Sequence, residues 1–136
     1  MNTLVCMPIW NEDPMVLKTV IKYSIESTDF DFVLCDDGSK NQEEIITCLQ
    51  TLSIQYPGRI VEILSHKENG GQGFTLKKLV RWGIDNGYKY FVTMDSDGQH
   101  RIEDVKVMHA ELINKGYNII IGSRFKTREA KKISTV

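Results

Sequence analysis

Asp95 and Asp97 stand two residues apart in Phe91-Val92-Thr93-Met94-Asp95-Ser96-Asp97-Gly98-Gln99-His100, directly after a run of apolar, β-prone residues. A buried strand ending there hands two carboxylates to solvent at the rim of a sheet, and Gly98 lets the backbone turn so that they converge. Carboxylates so close repel each other unless a cation lies between them, and hard oxygen ligands suit Mg²⁺ or Mn²⁺. The chemistry on offer is a divalent-metal site able to hold a phosphate-bearing substrate. The competing reading is an ordinary turn in which one aspartate caps the next helix, and a lone Asp-x-Asp does not decide between them. An EF-hand loop is excluded: starting at Asp95 it needs Gly at position 100 and Glu at 106, where the chain has His100 and Lys106.

Other polar groups close further apolar runs. Asp36-Asp37-Gly38-Ser39 is either a tight turn with a helix cap or a place where one carboxylate accepts hydrogen bonds from a base or ribose. A dinucleotide-binding site would need Gly-x-Gly-x-x-Gly after the first strand, but Met7-Pro8-Ile9-Trp10-Asn11-Glu12 holds no glycine. Gly70-Gly71-Gln72-Gly73 lacks the Gly-Lys-Ser/Thr of a P-loop, yet its glycines could bring backbone N–H groups close to a phosphate or sugar. Arg124, after Gly122-Ser123, would suit a phosphate by bidentate contact if it faces the same rim; an ordinary surface arginine is the simpler reading. His66, His100 and His109 share no metal-ligand spacing, and Trp10 is read as the wall of a base pocket rather than core.

The elements that must position these groups alternate strand and helix. Strands are expected at Leu4–Met7 (stopped by Pro8), Phe32–Cys35, Ile60–Leu64, Tyr90–Met94 and Asn118–Ile121. The first helix opens with Asp13 as N-cap and Pro14 at its first position, and turns Val16, Leu17, Val20, Ile21 and Ser24 inward. A second carries Ile45, Ile46 and Leu49. A third, from about Phe74, turns Leu76, Leu79, Val80 and Ile84 inward; the fourth runs from about Glu103 to Asn114, with Gly116 beyond its end. Such alternation, with near-continuously apolar strands, predicts an α/β fold: a mostly parallel sheet covered by helices on both faces. Ligands of such sheets bind outside the carboxyl ends of the strands, where all the groups above fall. Lys126 to Val136 shows no clear strand or helix period and is basic; it reads as a tail leading into a continuation not present in this chain.

With 136 residues there is room for one domain with a core. A composition 41% hydrophobic and 26% charged is that of a globular protein, and a net charge of -1 gives no reason to expect nucleic acid as a partner. Three cysteines, Cys6, Cys35 and Cys48, are odd in number and read as buried hydrophobes in a reducing compartment. No apolar run approaches about 18 residues, and no signal-peptide pattern opens the chain, so a cytoplasmic location is expected.

Taken in order, Pro8-x-Trp10-Asn11-Glu12, Asp36-Asp37-Gly38-Ser39, Asn69-Gly70-Gly71-x-Gly73, Asp95-Ser96-Asp97-Gly98-Gln99-His100 and Gly122-Ser123-Arg124-Phe125 resemble the inverting family 2 glycosyltransferases of GT-A fold. Within them the pattern is most similar to the dolichyl- or polyprenyl-phosphate sugar synthases. The resemblance implies a Rossmann-like donor-binding domain over residues 1–125, with 126–136 leading into an absent acceptor half. It implies that Pro8, Trp10 and Glu12 line the base and ribose pocket, that Asp37 hydrogen-bonds the base and that Gly71 lies against the nucleotide. Asp95 would face the ribose or the metal, Asp97 would be the firmest metal ligand, Gln99 would complete the coordination, and Arg124 would contact an acceptor or sugar phosphate. Mn²⁺ or Mg²⁺ is the implied cofactor, a UDP- or GDP-sugar the donor, and a polyprenyl phosphate one acceptor. Gln72 departs from the lysine many relatives carry.

That resemblance leaves room for a homo-oligomer and for peripheral contact with the inner face of a membrane, although a solvated basic tail is the simpler reading. A nucleotide-sugar-binding module, inactive without its C-terminal half, is the alternative. A strand-borne Asp-x-Asp-Gly also resembles the haloacid-dehalogenase phosphatases. That family, however, has Thr or Val at the position of Gln99 and usually places this strand first.

Overall fold

The computed structural model describes residues 3–98, 101–116, 119–122 and 133–135. Within them the chain runs β1 (Thr3–Ile9), α1 (Pro14–Glu26), β2 (Asp31–Asp37), α2 (Gln42–Gln55), β3 (Ile60–His66), α3 (Gln72–Asp85), β4 (Tyr90–Thr93), α4 (Ile102–Lys115), β5 (Ile119–Gly122) and β6 (Ile133–Thr135). The strands form one sheet in the order β3-β2-β1-β4-β5-β6. β1 to β5 are parallel, and β6 closes the edge antiparallel to β5. The α/β architecture expected of a Rossmann-like GT-A domain is therefore present.

Its layers explain the unbroken apolar strands. Side chains alternate across a sheet, so β1 sends Val5, Met7 and Ile9 to one face and Leu4 and Cys6 to the other, and both faces are covered. The first face meets Leu17, Ile21 and Ile25 of α1, Ile45 and Leu49 of α2, and Val105 and Leu112 of α4. Each such side chain contributes roughly 1.5–3 kcal/mol by leaving water. The second face meets α3, centred on Leu79. There Gly83 permits close approach: a Cβ on it would lie 2.4 Å from the Phe91 ring and 2.6 Å from Leu4. Burial pushes Cys6 up to about 12 and Cys35 up to about 11, so both behave as the small protonated hydrophobes expected.

Several expectations are corrected. Pro8 does not stop β1, which continues through it to Ile9. Cys6 O accepts from Met94 N, so by alternation the Pro8 nitrogen faces β4 beyond the last paired residues, where no N–H is required. Ile84 is 58% exposed rather than inward; the inward stripe of α3 is Thr75, Leu79 and Gly83. A small polar residue and a glycine are invisible to a hydrophobic pattern, so the reading slipped to their neighbour. Val16 likewise lies outward, and Ile25 takes its place in the core. Finally, β6 forms inside the stretch that shows no period, because three residues at an edge gain pairing from β5 rather than from their own pattern.

Candidate active site

The chain runs from β1 outward to β3 and then crosses back to place β4 on the other side of β1. The loops leaving β1 and β4 therefore diverge and open a crevice at the carboxyl ends of the strands. A cavity of about 260 Å³ lies there, lined by Pro8, Ile9, Trp10 and Glu12 after β1, Asp37 at the end of β2, Asn69 and Gln72 before and at the start of α3, and Asp95 to Asp97 after β4. Of the expected site residues, Pro8, Trp10, Glu12, Asp37, Asp95 and Asp97 share this one wall. Gly71 sits beside it as the N-cap of α3, at φ +96°, a conformation glycine adopts without strain. Gln99 and Arg124 lie outside the described residues.

The two acidic pairs serve different masters. Asp36 is fully buried: its Oδ2 accepts from Ser39 N at 3.0 Å and Gln42 Nε2 at 2.7 Å, and its Oδ1 from Ser39 Oγ at 2.6 Å. Ser39 Oγ in turn accepts from Asn11 N at 2.7 Å, Asn11 Oδ1 accepts from Lys40 N, and Asn41 Nδ2 donates to Glu12 O. Asp36 thus ties the loop carrying Trp10 and Glu12 to the start of α2. Asp13, as predicted, caps α1 by accepting from Met15 N at 2.8 Å, which fixes the far end of that loop.

Asp37 anchors the opposite wall. Its Oδ1 accepts from His66 Nδ1 at 2.7 Å and Gly70 N at 2.9 Å, and its Oδ2 from Gly71 N at 2.9 Å and Asn69 Nδ2 at 3.2 Å. A carboxylate only accepts, so the His66 proton on this side must be on Nδ1. Burial would raise the pKa of Asp37, but the bonds from His66, Gly70 and Gly71 outweigh it and hold the carboxyl below the usual carboxylate range. Gly38, at φ +73°, lets the two loops touch, since a Cβ there would meet Glu68 C at 2.4 Å.

Asp95 and Asp97 instead open on the cavity. Gln72 Nε2 donates to Asp95 Oδ1 at 3.2 Å from the first turn of α3, while Ser96 between them is buried. Among the described residues no group of three or more His, Cys, Asp or Glu side chains converges as a cage for an ion. Two carboxylates beside an open cavity suit Mg²⁺ or Mn²⁺, which keep waters and substrate phosphates in their shell, better than a closed structural zinc site. Trp10 is 57% exposed, which suits a stacking surface better than core.

Sequence reasoning passed over His66 and Gln72 as parts of the site. His66 pairs in register with Asp37 across β3 and β2, a juxtaposition no local pattern announces. Gln72 carried only the signal of lying inside the glycine-rich loop.

These features are those of a GT-A type domain. The chain matches the model of glycosyl transferase family 2 over residues 4–134, and it belongs to that family. Polyprenol monophosphomannose synthase from Mycolicibacterium smegmatis is 27% identical over 124 residues, covering 91% of this chain and 45% of the relative. UDP-N-acetylglucosamine--dolichyl-phosphate N-acetylglucosaminyltransferase from Methanococcus voltae is 29% identical over 129 residues, covering 88% of this chain and 51% of that protein. An uncharacterized protein of Methanocaldococcus jannaschii is 27% identical over 128 residues. The chain spans about half the length of these curated relatives. No described helix is long and apolar enough to cross a membrane.

Proposed function

We propose that this chain is the donor-binding and metal-binding part of an inverting glycosyltransferase that uses a UDP- or GDP-sugar. The observation that carries this reading is the cavity's charge: Glu12, Asp37, Asp95 and Asp97 line it, and among the described residues no Lys or Arg does. A nucleoside diphosphate is repelled by such a wall unless a cation stands between. Asp97 and Asp95 would hold Mn²⁺ or Mg²⁺, with Gln99 as a further ligand. The ion would neutralise the charge that develops on the departing nucleoside diphosphate. Trp10 would stack on the base, Glu12 would meet the ribose, and the loop through Gly71 would lie along the nucleotide. Arg124 would take the acceptor or sugar phosphate.

The acceptor attacks from the face opposite the leaving group, inverting the anomeric carbon. A polyprenyl phosphate, the acceptor class in the names of two relatives, is already anionic at neutral pH and needs no general base to attack. Such an acceptor would bring the domain to a membrane surface. A second reading is favoured by the half-length match: this chain binds nucleotide-sugar and transfers nothing until an acceptor-binding segment completes it.

Calorimetric titration of UDP, GDP and their sugar conjugates, with Mn²⁺ and with chelator, tests both. Metal-dependent binding of one nucleotide that is lost in Asp97→Ala supports the donor site. No binding of any nucleotide by the folded chain sinks it. Donor hydrolysis or transfer on the same samples favours the enzyme reading; binding without turnover favours the module.

A further inference from the structure

Gln72 stands on one wall of the cavity and reaches across to another. Its backbone opens α3 directly after Gly71, whose N–H donates to Asp37 Oδ2 at 2.9 Å. Thr75, fully buried in the same first turn, returns its N–H and its hydroxyl to Gly71 O at 3.1 and 3.0 Å. Asp95 is held as closely from the β4 side. It lies between Met94 and Ser96, 2% and 6% exposed, and Met94 N donates to Cys6 O at 3.1 Å. The bond from Gln72 Nε2 to Asp95 Oδ1, at 3.2 Å, therefore joins two backbones that are each fixed by their own contacts.

That bond supplies direction without charge. A primary amide donates an N–H but is not a cation, so Gln72 orients the Asp95 carboxylate and does not neutralise it. An ammonium in the same place would donate as well, and would also bring a positive charge into the cavity. Glu12, Asp37, Asp95 and Asp97 line that cavity, and among the described residues no Lys or Arg joins them. Hydrogen bonds to the carboxylates around a metal orient them, and losing one commonly costs about 10–100-fold in metal affinity.

Resting on the donor- and metal-binding reading above, we infer that Gln72 is a positioning residue for the cation. It holds the Asp95 carboxylate in place at the cavity and, being neutral, keeps nucleotide binding dependent on the metal. Orientation and charge are separate contributions of this one side chain, and two substitutions separate them.

The test compares wild type with Gln72→Met, which keeps the length without the donor, and Gln72→Lys, which keeps a donor and adds a charge. Mn²⁺ alone is titrated first, followed by water-proton relaxation; UDP and GDP are then titrated with Mn²⁺ and with chelator. Gln72 is exposed, so the urea midpoints of all three should coincide and any change in binding is not lost folding. Gln72→Met should weaken Mn²⁺ about tenfold while nucleotide binding stays dependent on the metal. Gln72→Lys should also weaken Mn²⁺ about tenfold, since a positive charge roughly 6 Å from a divalent ion costs that much even at the dielectric of water. It should in addition let UDP or GDP bind with chelator present. Wild-type Mn²⁺ affinity in Gln72→Met overturns the positioning role, and strict metal dependence in Gln72→Lys overturns the role of neutrality. A wild-type chain that binds Mn²⁺ but no nucleotide removes the donor reading and the role of neutrality, while the Mn²⁺ titration still judges the positioning. A folded chain that binds neither removes all three.

Discussion

The two acidic pairs share a residue type and a place at strand ends, but differ in what surrounds them. Around Asp36 and Asp37 the chain supplies donors: two side chains and a backbone amide to the first, two backbone amides, an imidazole and an amide nitrogen to the second. Asp95 and Asp97 line a cavity, and Gln72 Nε2 donates to Asp95. A carboxylate enclosed by its own chain is part of the framework, and its loss costs structure. A carboxylate that lines a cavity is one a ligand can reach, and its loss is expected to cost function more than structure. Identical side chains are thus divided into scaffold and chemistry by their neighbours.

Breaking the open pair should give the largest effect and the cleanest separation. Asp97→Ala is expected to lower sugar transfer or donor hydrolysis by about a thousandfold, the scale of losing one preorganised charge contact in the transition state. Because Asp97 is exposed, its urea midpoint should shift by no more than about 0.5 kcal/mol equivalent. Assays of turnover and urea unfolding on one preparation check both halves.

The enclosed pair should behave in reverse. Gly38→Ala forces a side chain into the left-handed region and against Glu68 backbone, and is expected to destabilise by about 3 kcal/mol, read as a lower urea midpoint at unchanged slope. Asp36→Ala leaves Ser39 N, Ser39 Oγ and Gln42 Nε2 without their acceptor and should cost about 2 kcal/mol. Its nucleotide affinity should fall only as far as the Trp10–Glu12 loop loosens, which a fluorescence titration on Trp10 would follow.

The smallest effect concerns acid. Asp37 is held below its ordinary value in the folded chain, so it contributes stability above the unfolded-state value of about 4 and loses it as pH falls through the lower folded value. Urea midpoints of wild type should therefore drop more steeply below about pH 4 than those of Asp37→Asn, whose amide does not titrate. Parallel acid limbs for the two proteins would contradict the enclosed environment.

Much of this was legible before any coordinates. The alternation of strand and helix, the Asp13-Pro14 start of α1 and the gathering of polar residues at strand ends each follow from local chemistry, and the structure contains them. The misreadings have one cause. Thr75 and Gly83 face the sheet because α3 packs close to it, and β6 forms because β5 offers it an edge. Neither fact is local.

The amino-acid sequence alone determined which residues are chemically capable: the aspartates, Trp10, the glycines, and strands apolar enough to be buried on both faces. Those are properties of side chains and of short-range periodicity. Only the tertiary structure decided which carboxylates are enclosed by the chain's own donors and which line the cavity. That depends on the register of β2 against β3, which sets His66 beside Asp37, and on the reversal of strand order that opens a cavity in front of Asp95 and Asp97. A hydrogen-bond acceptor is defined by its donors, and here those donors lie about thirty residues away along the chain.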